Sequence, residues 1–245
     1  MIVKEVHAKS VLSKSGLPGL EYSLNPYRGC GHACTYCYAP SVLREKREWG
    51  TFVDVKANAA EVLEKELKKN MKGLVGIGTV TDPYQPAEAK HEITRKCLRA
   101  LLAYDWPVSI QTKSALVLRD LPLIKKFSSI EVGFTVITTD DRQRRKYEPC
   151  ASPIQARFDS LRALRENGIK TWIFIGPIIP GVSDAEAILK KAKELEVGWV
   201  MIDKLRLKPG LGELKELVKG YDWEAEKQNI MDTAAKLRVK CLPAF

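Results

Sequence analysis

The 245-residue sequence lacks any apolar run close to the ~20 residues that a membrane-spanning helix requires. Residues 1–5 begin no apolar signal segment, so we expect a cytoplasmic protein without a membrane partner. Cysteine and histidine are scarce, at six and three residues, which excludes a disulfide scaffold and favours a reducing compartment. Repeats, low-complexity segments and linkers are absent as well. With 45% hydrophobic residues, the chain is predicted to form one domain around a sizeable core.

Acidic residues are also in the minority, because 30 Asp and Glu stand against 40 Lys and Arg, which gives a formal net charge of +10. Such an excess favours anionic partners without proving that the protein binds nucleic acid. The densest basic group comprises Arg142, Arg144, Arg145 and Lys146. A loop carrying this group beside an active site would meet phosphate, whereas the same loop elsewhere would be exposed without a partner. The sequence leaves both alternatives open.

Three of the six cysteines, Cys30, Cys34 and Cys37, stand close together, with three residues between the first pair and two between the second. A 4Fe–4S cluster normally takes four cysteine thiolates, so three leave one iron without a protein ligand. An open coordination position is where a metal centre performs chemistry. Structural zinc is the alternative, but it requires a fourth ligand, and His32 is the only histidine nearby.

Aromatic residues flank the third cysteine of this run, at Tyr36 and Tyr38. Rings at these positions can shield a cluster from water and offer a face or an edge to an adenine ring. The alternative is that both tyrosines simply pack on the core.

The Cys-x3-Cys-x-aromatic-Cys run is similar to the signature of the radical S-adenosylmethionine (SAM) enzymes. Its context at residues 25–30 resembles the branch that contains spore photoproduct lyase. Further segments similar to this branch follow in the same order, at residues 78–88, 111–114, 119–120, 148–149 and 176–181. The resemblance extends from about Tyr22 to Asp203. It implies a 4Fe–4S cluster and SAM as cofactors, and an electron donor of the ferredoxin or flavodoxin type as a partner.

Short runs rich in β-branched and aromatic residues alternate with amphipathic stretches along the chain. Strands are predicted at residues 20–24, 74–78, 108–111, 130–136, 171–175 and 199–202. Helices are predicted at residues 57–70, 93–104, 153–167, 184–195 and 223–237. Repeated strand–helix units predict parallel strands, and six strands fit an incomplete barrel. The resemblance implies the same architecture. We therefore predict an α/β fold, a partial (β/α)6 radical SAM barrel over residues 20–245, with an irregular N-terminal arm over residues 1–19.

Several polar residues follow predicted strands, at the edge where parallel α/β sheets place their sites. The resemblance implies that backbone groups and hydroxyls at Thr79, Thr81 and Asp82, after the second strand, hold the amino group of SAM. The alternative is that these residues form a turn with a capping role. Lys113, after the third strand, would pair with the SAM carboxylate. Thr138 is placed for ribose contacts. Ile178 belongs to an apolar wall suited to adenine, and equally to core packing.

The other three cysteines carry weaker predictions. Cys150 lies in a loop on the predicted active side, where a thiol would donate a hydrogen atom or carry a covalent adduct, unless it is an idle exposed thiol. Cys97 is predicted to be a small buried hydrophobic residue in a helix. The sequence does not place Cys241 at either end of the barrel.

The resemblance implies reductive cleavage of SAM to a 5'-deoxyadenosyl radical, which abstracts hydrogen from a substrate. Spore photoproduct lyase uses a cysteine where this chain has Thr79, and a hydroxyl does not replace a thiol as a hydrogen-atom donor. We therefore expect a different activity within the branch. A nucleic acid or nucleotide is the preferred substrate because of the basic charge, with a peptide or small anionic metabolite as the second choice. The alternative from another class is a nonenzymatic iron–sulfur or zinc module that binds RNA.

Overall fold

A computed structural model of the chain describes residues 1–207 and 212–245. The strands are β1 (Ile2–Val6), β2 (Leu12–Lys14), β3 (Tyr22–Leu24), β4 (Tyr27–Arg28), β5 (Phe52–Lys56), β6 (Val75–Ile77), β7 (Val108–Thr112), β8 (Ile130–Thr135), β9 (Lys170–Ile178), β10 (Trp199–Lys204) and β11 (Cys241–Pro243). The α-helices are α1 (Ala39–Val42), α2 (Ala59–Leu67), α3 (Glu88–His91), α4 (Ile93–Ala103), α5 (Leu121–Ile124), α6 (Asp141–Tyr147), α7 (Ile154–Glu166), α8 (Ala185–Glu194), α9 (Leu214–Leu217) and α10 (Trp223–Leu237). A 3₁₀ helix occupies Ala115–Asp120.

The main sheet has the strand order β11-β10-β9-β8-β7-β6-β3-β2. Every neighbouring pair is parallel except β2 and β3. The six consecutive strands from β3 to β10 are the predicted barrel strands, so the predicted parallel α/β domain is confirmed. Strand β11 extends this parallel set by one member, beyond the prediction.

The two faces of the sheet differ because successive side chains of a strand point to opposite sides. One face carries the residues that belong to the main hydrophobic core under the helices, namely Val108, Ile110, Val132, Phe134, Ile173, Ile175, Val200 and Ile202. The residues between them therefore point to the concave interior of the partial barrel. This alternation separates the core from the face that is open to a ligand.

The main helices begin and end at the signals expected from the sequence. Asp222 caps α10, where its carboxylate accepts a hydrogen bond from the Ala225 amide at 3.0 Å. Helix α7 ends before Gly168, which has a φ of +77°, a conformation that glycine adopts without steric cost. Among the described residues, no helix is both long and apolar enough to cross a membrane.

The N-terminal arm contains two strands that the sequence did not predict. Strand β1 pairs in parallel with β5, and β2 pairs with β3 in antiparallel fashion. Four of the five side chains of β1 are exposed, so the strand lacks the alternation that predicts strands and depends on a distant partner. The rest of residues 1–19 is irregular, as expected.

Candidate functional site

The three cysteines lie on one loop between β4 and α1, and all three are free thiols. Gly29, at φ +84°, lets this loop pass so close to β5 that a side chain there would meet the carbonyl oxygen of Phe52 at 2.4 Å. Gln85 fastens the loop from the other side. Its side-chain oxygen accepts from the Gly31 amide at 2.8 Å, and its side-chain nitrogen donates to the Gly29 carbonyl at 3.2 Å. The sequence analysis did not single out Gln85, although it lies within the segment 78–88.

The burial of the three thiols favours metal-bound thiolates over free ones. Burial raises the pKa of Cys30 to about 12 and also raises the pKa values of Cys34 and Cys37. Thiolates at these positions therefore need a metal to be stable. Within residues 1–207 and 212–245, no three His, Cys, Asp or Glu side chains are arranged to hold one metal ion. In a 4Fe–4S cluster, each thiolate would bind a different iron.

Lys113 follows β7 and lies half-buried beside the cysteine loop. Its ammonium nitrogen is 5.8 Å from the centre of the Tyr36 ring. Burial disfavours the charged ammonium, but the negative charges of Cys34, Glu148 and Asp82 outweigh this and raise the pKa of Lys113. These surroundings therefore favour the charged ammonium of Lys113.

The Tyr36 hydroxyl is bound by a buried ion pair. Its hydroxyl donates a hydrogen bond to Glu148, and Glu148 also pairs with Arg157 at 2.5 Å. All three side chains are buried, with Glu148 and Arg157 fully so. Burial alone would raise the pKa of Glu148, but Arg157 and Lys113 outweigh it and lower that pKa. Tyr36 is thus part of a fixed network rather than a freely rotating loop residue.

Asp82 joins three parts of the site through both of its carboxylate oxygens. One oxygen accepts from the Thr112 hydroxyl at 2.7 Å and from the Tyr84 amide at 2.9 Å. The other accepts from the Lys113 amide at 2.7 Å and faces the His32 Nε2 at 3.2 Å. Because protein groups occupy both oxygens, Asp82 positions the site. His32, considered only as a zinc ligand from the sequence, lies on the cysteine loop as the partner of Asp82.

Thr79 and Thr81 differ in their bonding. The Thr79 hydroxyl accepts from Asn25 Nδ2 at 3.0 Å, and its carbonyl accepts from the Tyr38 hydroxyl. The Thr81 hydroxyl is buried and has no hydrogen-bond partner among the described residues. A buried hydroxyl without a partner is costly, so this oxygen marks a place where a bound ligand would complete the structure.

The two remaining predicted cofactor contacts are enclosed by protein. The Thr138 hydroxyl accepts from the Asp140 amide at 3.1 Å, and only 1% of the residue is exposed. Ile178 packs in the main hydrophobic core, while Ile179 belongs to a smaller apolar group with Tyr36 and Tyr147. Contacts of Thr138 and Ile178 with SAM stay predictions.

The other cysteines fall at three different places. Cys150 is exposed, and its backbone is fastened to the cysteine loop, since its amide donates to the His32 carbonyl at 3.4 Å and its carbonyl lies 3.0 Å from His32 Nδ1. Cys97 is fully buried in α4, as predicted. Cys241 pairs with Val200 near the start of β10, which places it at the base of the barrel.

The basic group at residues 142–146 forms helix α6 rather than a loop. Asp140 caps this helix by accepting from the Arg142 amide at 2.8 Å. Arg144 is buried, makes a bidentate pair with Asp141 at 2.9 Å and donates to three backbone carbonyls. Arg144 is therefore a structural residue, and its guanidinium is not available for the phosphate contact that was one of the two alternatives for this basic group. Arg142, Arg145 and Lys146 remain exposed on the helix surface.

The family model of the radical SAM superfamily matches residues 24–192. An uncharacterized protein of Methanocaldococcus jannaschii is 39% identical over 191 residues, which are 77% of this chain and 72% of that protein. An uncharacterized protein of Mycobacterium tuberculosis is 35% identical over 195 residues, and the match covers 74% of this chain but only 57% of the relative.

A protein of Pseudomonas phage M6, named radical SAM Nalpha-GlyT isomerase, is 28% identical over 159 residues, which are 64% of this chain and 33% of the phage protein. Among solved structures, a spore photoproduct lyase mutant with bound AdoMet and dinucleoside spore photoproduct matches with a TM-score of 0.73. The match covers 99% of this chain and 81% of the lyase chain at 13% identity, so it concerns the fold alone.

Proposed function

Because the chain belongs to the radical SAM superfamily, and is therefore a radical SAM enzyme, we propose that it cleaves SAM reductively at a cluster held by Cys30, Cys34 and Cys37. The observation that carries this proposal is the placement of three free thiols on one loop, whose Tyr36 ring centre lies 5.8 Å from the half-buried ammonium of Lys113. When bound, the cluster and SAM supply a 5'-deoxyadenosyl radical that removes a hydrogen atom from the substrate. Membership of the family favours an enzyme over a nonenzymatic RNA-binding module.

The residues around the loop have distinct roles in this proposal. Lys113 pairs with the carboxylate of SAM as a point charge, and the free hydroxyl of Thr81 accepts from its amino group. Thr79 contributes backbone groups, while Asp82 holds the segment that carries both threonines. Tyr36 and Tyr38 cover the loop and limit the access of water to the cluster.

The proposed substrate is a nucleic acid or nucleotide. The net charge of +10 and the exposed basic residues of α6 support an anionic partner. The phage relative is named as an isomerase of Nalpha-GlyT, and the lyase in the solved structure holds a dinucleoside. A peptide or a small anionic metabolite is the competing class, and Cys150 stands at the edge of the site as a proposed hydrogen donor or point of covalent attachment for either.

The test is SAM cleavage by the anaerobically reconstituted protein with dithionite as the reductant. We expect 5'-deoxyadenosine and methionine in equal amounts, and none from Cys34→Ala prepared in the same way. A protein that carries a full cluster, binds SAM and yet forms no 5'-deoxyadenosine would overturn the proposal. A ferredoxin or flavodoxin in place of dithionite then tests the proposed class of electron donor.

A further inference from the structure

The concave face of the sheet carries a row of side chains that the proposed SAM site does not use. Thr135, Phe174 and Met201 are directly paired across β8, β9 and β10. Directly paired residues of neighbouring strands point to the same face. Gln111 joins the row from β7, because its side-chain nitrogen donates to the Thr135 hydroxyl at 3.1 Å. These four side chains form one continuous surface inside the partial barrel, which we call the concave row.

Two glycines make room for aromatic rings on this face. A side chain at Gly176 would meet the Phe174 ring at 2.1 Å, and one at Gly133 would meet the Trp172 ring at the same distance. Both rings therefore lie against the sheet, where only glycine leaves enough space. Trp172 stacks on Trp199 at 4.6 Å and closes the row on the side of the barrel base.

Three of the four residues of the concave row are accessible, unlike the core on the opposite face. Phe174, Met201 and Gln111 each remain partly exposed, whereas their neighbours Ile173 and Ile175 are fully buried. Towards the barrel base, the Trp172 indole nitrogen is buried and has no hydrogen-bond partner in the described part of the chain. An apolar surface left open inside a barrel, with an unused donor beneath it, has the composition of a ligand pocket.

The chemistry of the concave row selects one kind of ligand. Phe174 offers a flat ring and Met201 a polarisable thioether, so a planar group stacks well on them. The Gln111 amide supplies hydrogen bonds at the edge of such a group. A neutral ring with donors and acceptors on its edge matches all of these groups.

We propose that Phe174, Met201 and Gln111 bind a nucleobase-like planar heterocycle of the substrate, stacked on the Phe174 ring and hydrogen-bonded by the Gln111 amide. This inference rests on the proposed function and names the part of the substrate that enters the barrel. The phosphates of the substrate then remain at the rim, where Arg142, Arg145 and Lys146 are exposed.

The test compares two probes on the reconstituted protein with SAM present. One is an oligonucleotide of five thymidines, and the other has the same backbone without bases. Wild type should bind the thymidine probe at least about fivefold more tightly than the abasic one, since stacking of a base on an aromatic side chain is worth about 1 to 3 kcal/mol. Phe174→Leu keeps an apolar side chain but removes the ring. It should therefore reduce the ratio of the two affinities by about 5- to 100-fold.

The matched control is Phe127→Leu, which changes a half-buried phenylalanine on the outer side of the sheet and should leave both affinities unchanged. Retention of the thymidine preference in Phe174→Leu overturns the inference, as does equal binding of both probes by wild type. If wild type cleaves SAM but binds neither probe, both the nucleic-acid proposal and this inference are wrong, whereas the proposed cleavage of SAM is supported.

A measurement on wild type alone guards against a variant that does not fold. An oligonucleotide with one 2-aminopurine loses fluorescence when that base stacks on an aromatic ring. Quenching of the bound probe, beyond that of the free probe, supports the pocket. Bound probe with unchanged emission contradicts it.

Discussion

The Tyr36 hydroxyl donates a hydrogen bond to the carboxylate of Glu148, which binds Arg157 in turn. Through this contact, the cysteine loop is fixed to a buried ion pair that also faces the ammonium of Lys113. Tyr36 lies between Cys34 and Cys37 in the sequence, so this contact restrains the part of the loop that carries both cysteines.

Glu148→Ala should destabilise the fold by about 3 to 5 kcal/mol, because it leaves the fully buried Arg157 without its counter-charge. Asp159→Ala, which breaks the exposed pair with Arg162, is the control and should cost less than about 1 kcal/mol. Urea unfolding of both variants measures the difference. Similar midpoints for the two would show that the buried network does not hold the loop.

Alanine at Cys30, Cys34 or Cys37 should abolish bound iron and sulfide after anaerobic reconstitution, since each thiolate is proposed to bind one iron. The same change at Cys97, Cys150 or Cys241 should retain about four irons per chain. Iron and sulfide analysis with visible spectra measures the result. A complete cluster in Cys34→Ala contradicts the assignment.

Thr81→Ala and Lys113→Met should weaken SAM binding by about 1 to 3 kcal/mol each, as expected for hydrogen bonds to charged groups. Cluster content should change less than SAM affinity. Calorimetry on reconstituted protein measures the affinity, with Thr35→Ala on the exposed side of the same loop as the control. Unchanged affinity in both variants would show that SAM lies elsewhere.

The exposed basic residues of α6 should set the salt dependence of nucleic-acid binding. In the Arg142→Ala, Arg145→Ala double variant, the slope of log K against log salt for single strands should fall by about 1.4, because each lost phosphate contact removes about 0.7. Arg144 is excluded from this test because it is structural. The control is Lys65→Ala with Lys69→Ala, two exposed lysines at α2. Equal slopes in the two double variants would remove the argument for phosphate contacts at α6.

The local sequence predicts the strands and helices of the barrel well, but it does not predict the strands that are added to the barrel. Strand β8 and helix α7 were identifiable because their residues have strong periodicity and clear boundaries. The sequence did not predict strands β1 and β5. These two strands pair with each other, Ile2 with Phe52, so each depends on a partner 50 residues away in the chain. Such a pairing leaves no local pattern.

The candidate site was also predictable only in part. The cysteine spacing and the position of Lys113 after a strand indicated which residues to consider. The links made by Gln85, His32 and Glu148 arise only when distant segments meet, so spacing alone did not reveal them. The basic run at residues 142–146 was expected in a loop but lies in a helix. The Asp140 cap and the Asp141–Arg144 spacing are the local signals of that helix.

The central claim is that one iron of the cluster lacks a protein ligand and is bound by SAM. Electron paramagnetic resonance of the reduced cluster, before and after addition of SAM labelled with ¹⁷O in its carboxylate and ¹⁵N in its amino group, tests this most directly. We predict that SAM changes the spectrum and that both labels add hyperfine coupling to it. A spectrum that SAM leaves unchanged, or a coupling from neither label, would contradict the account.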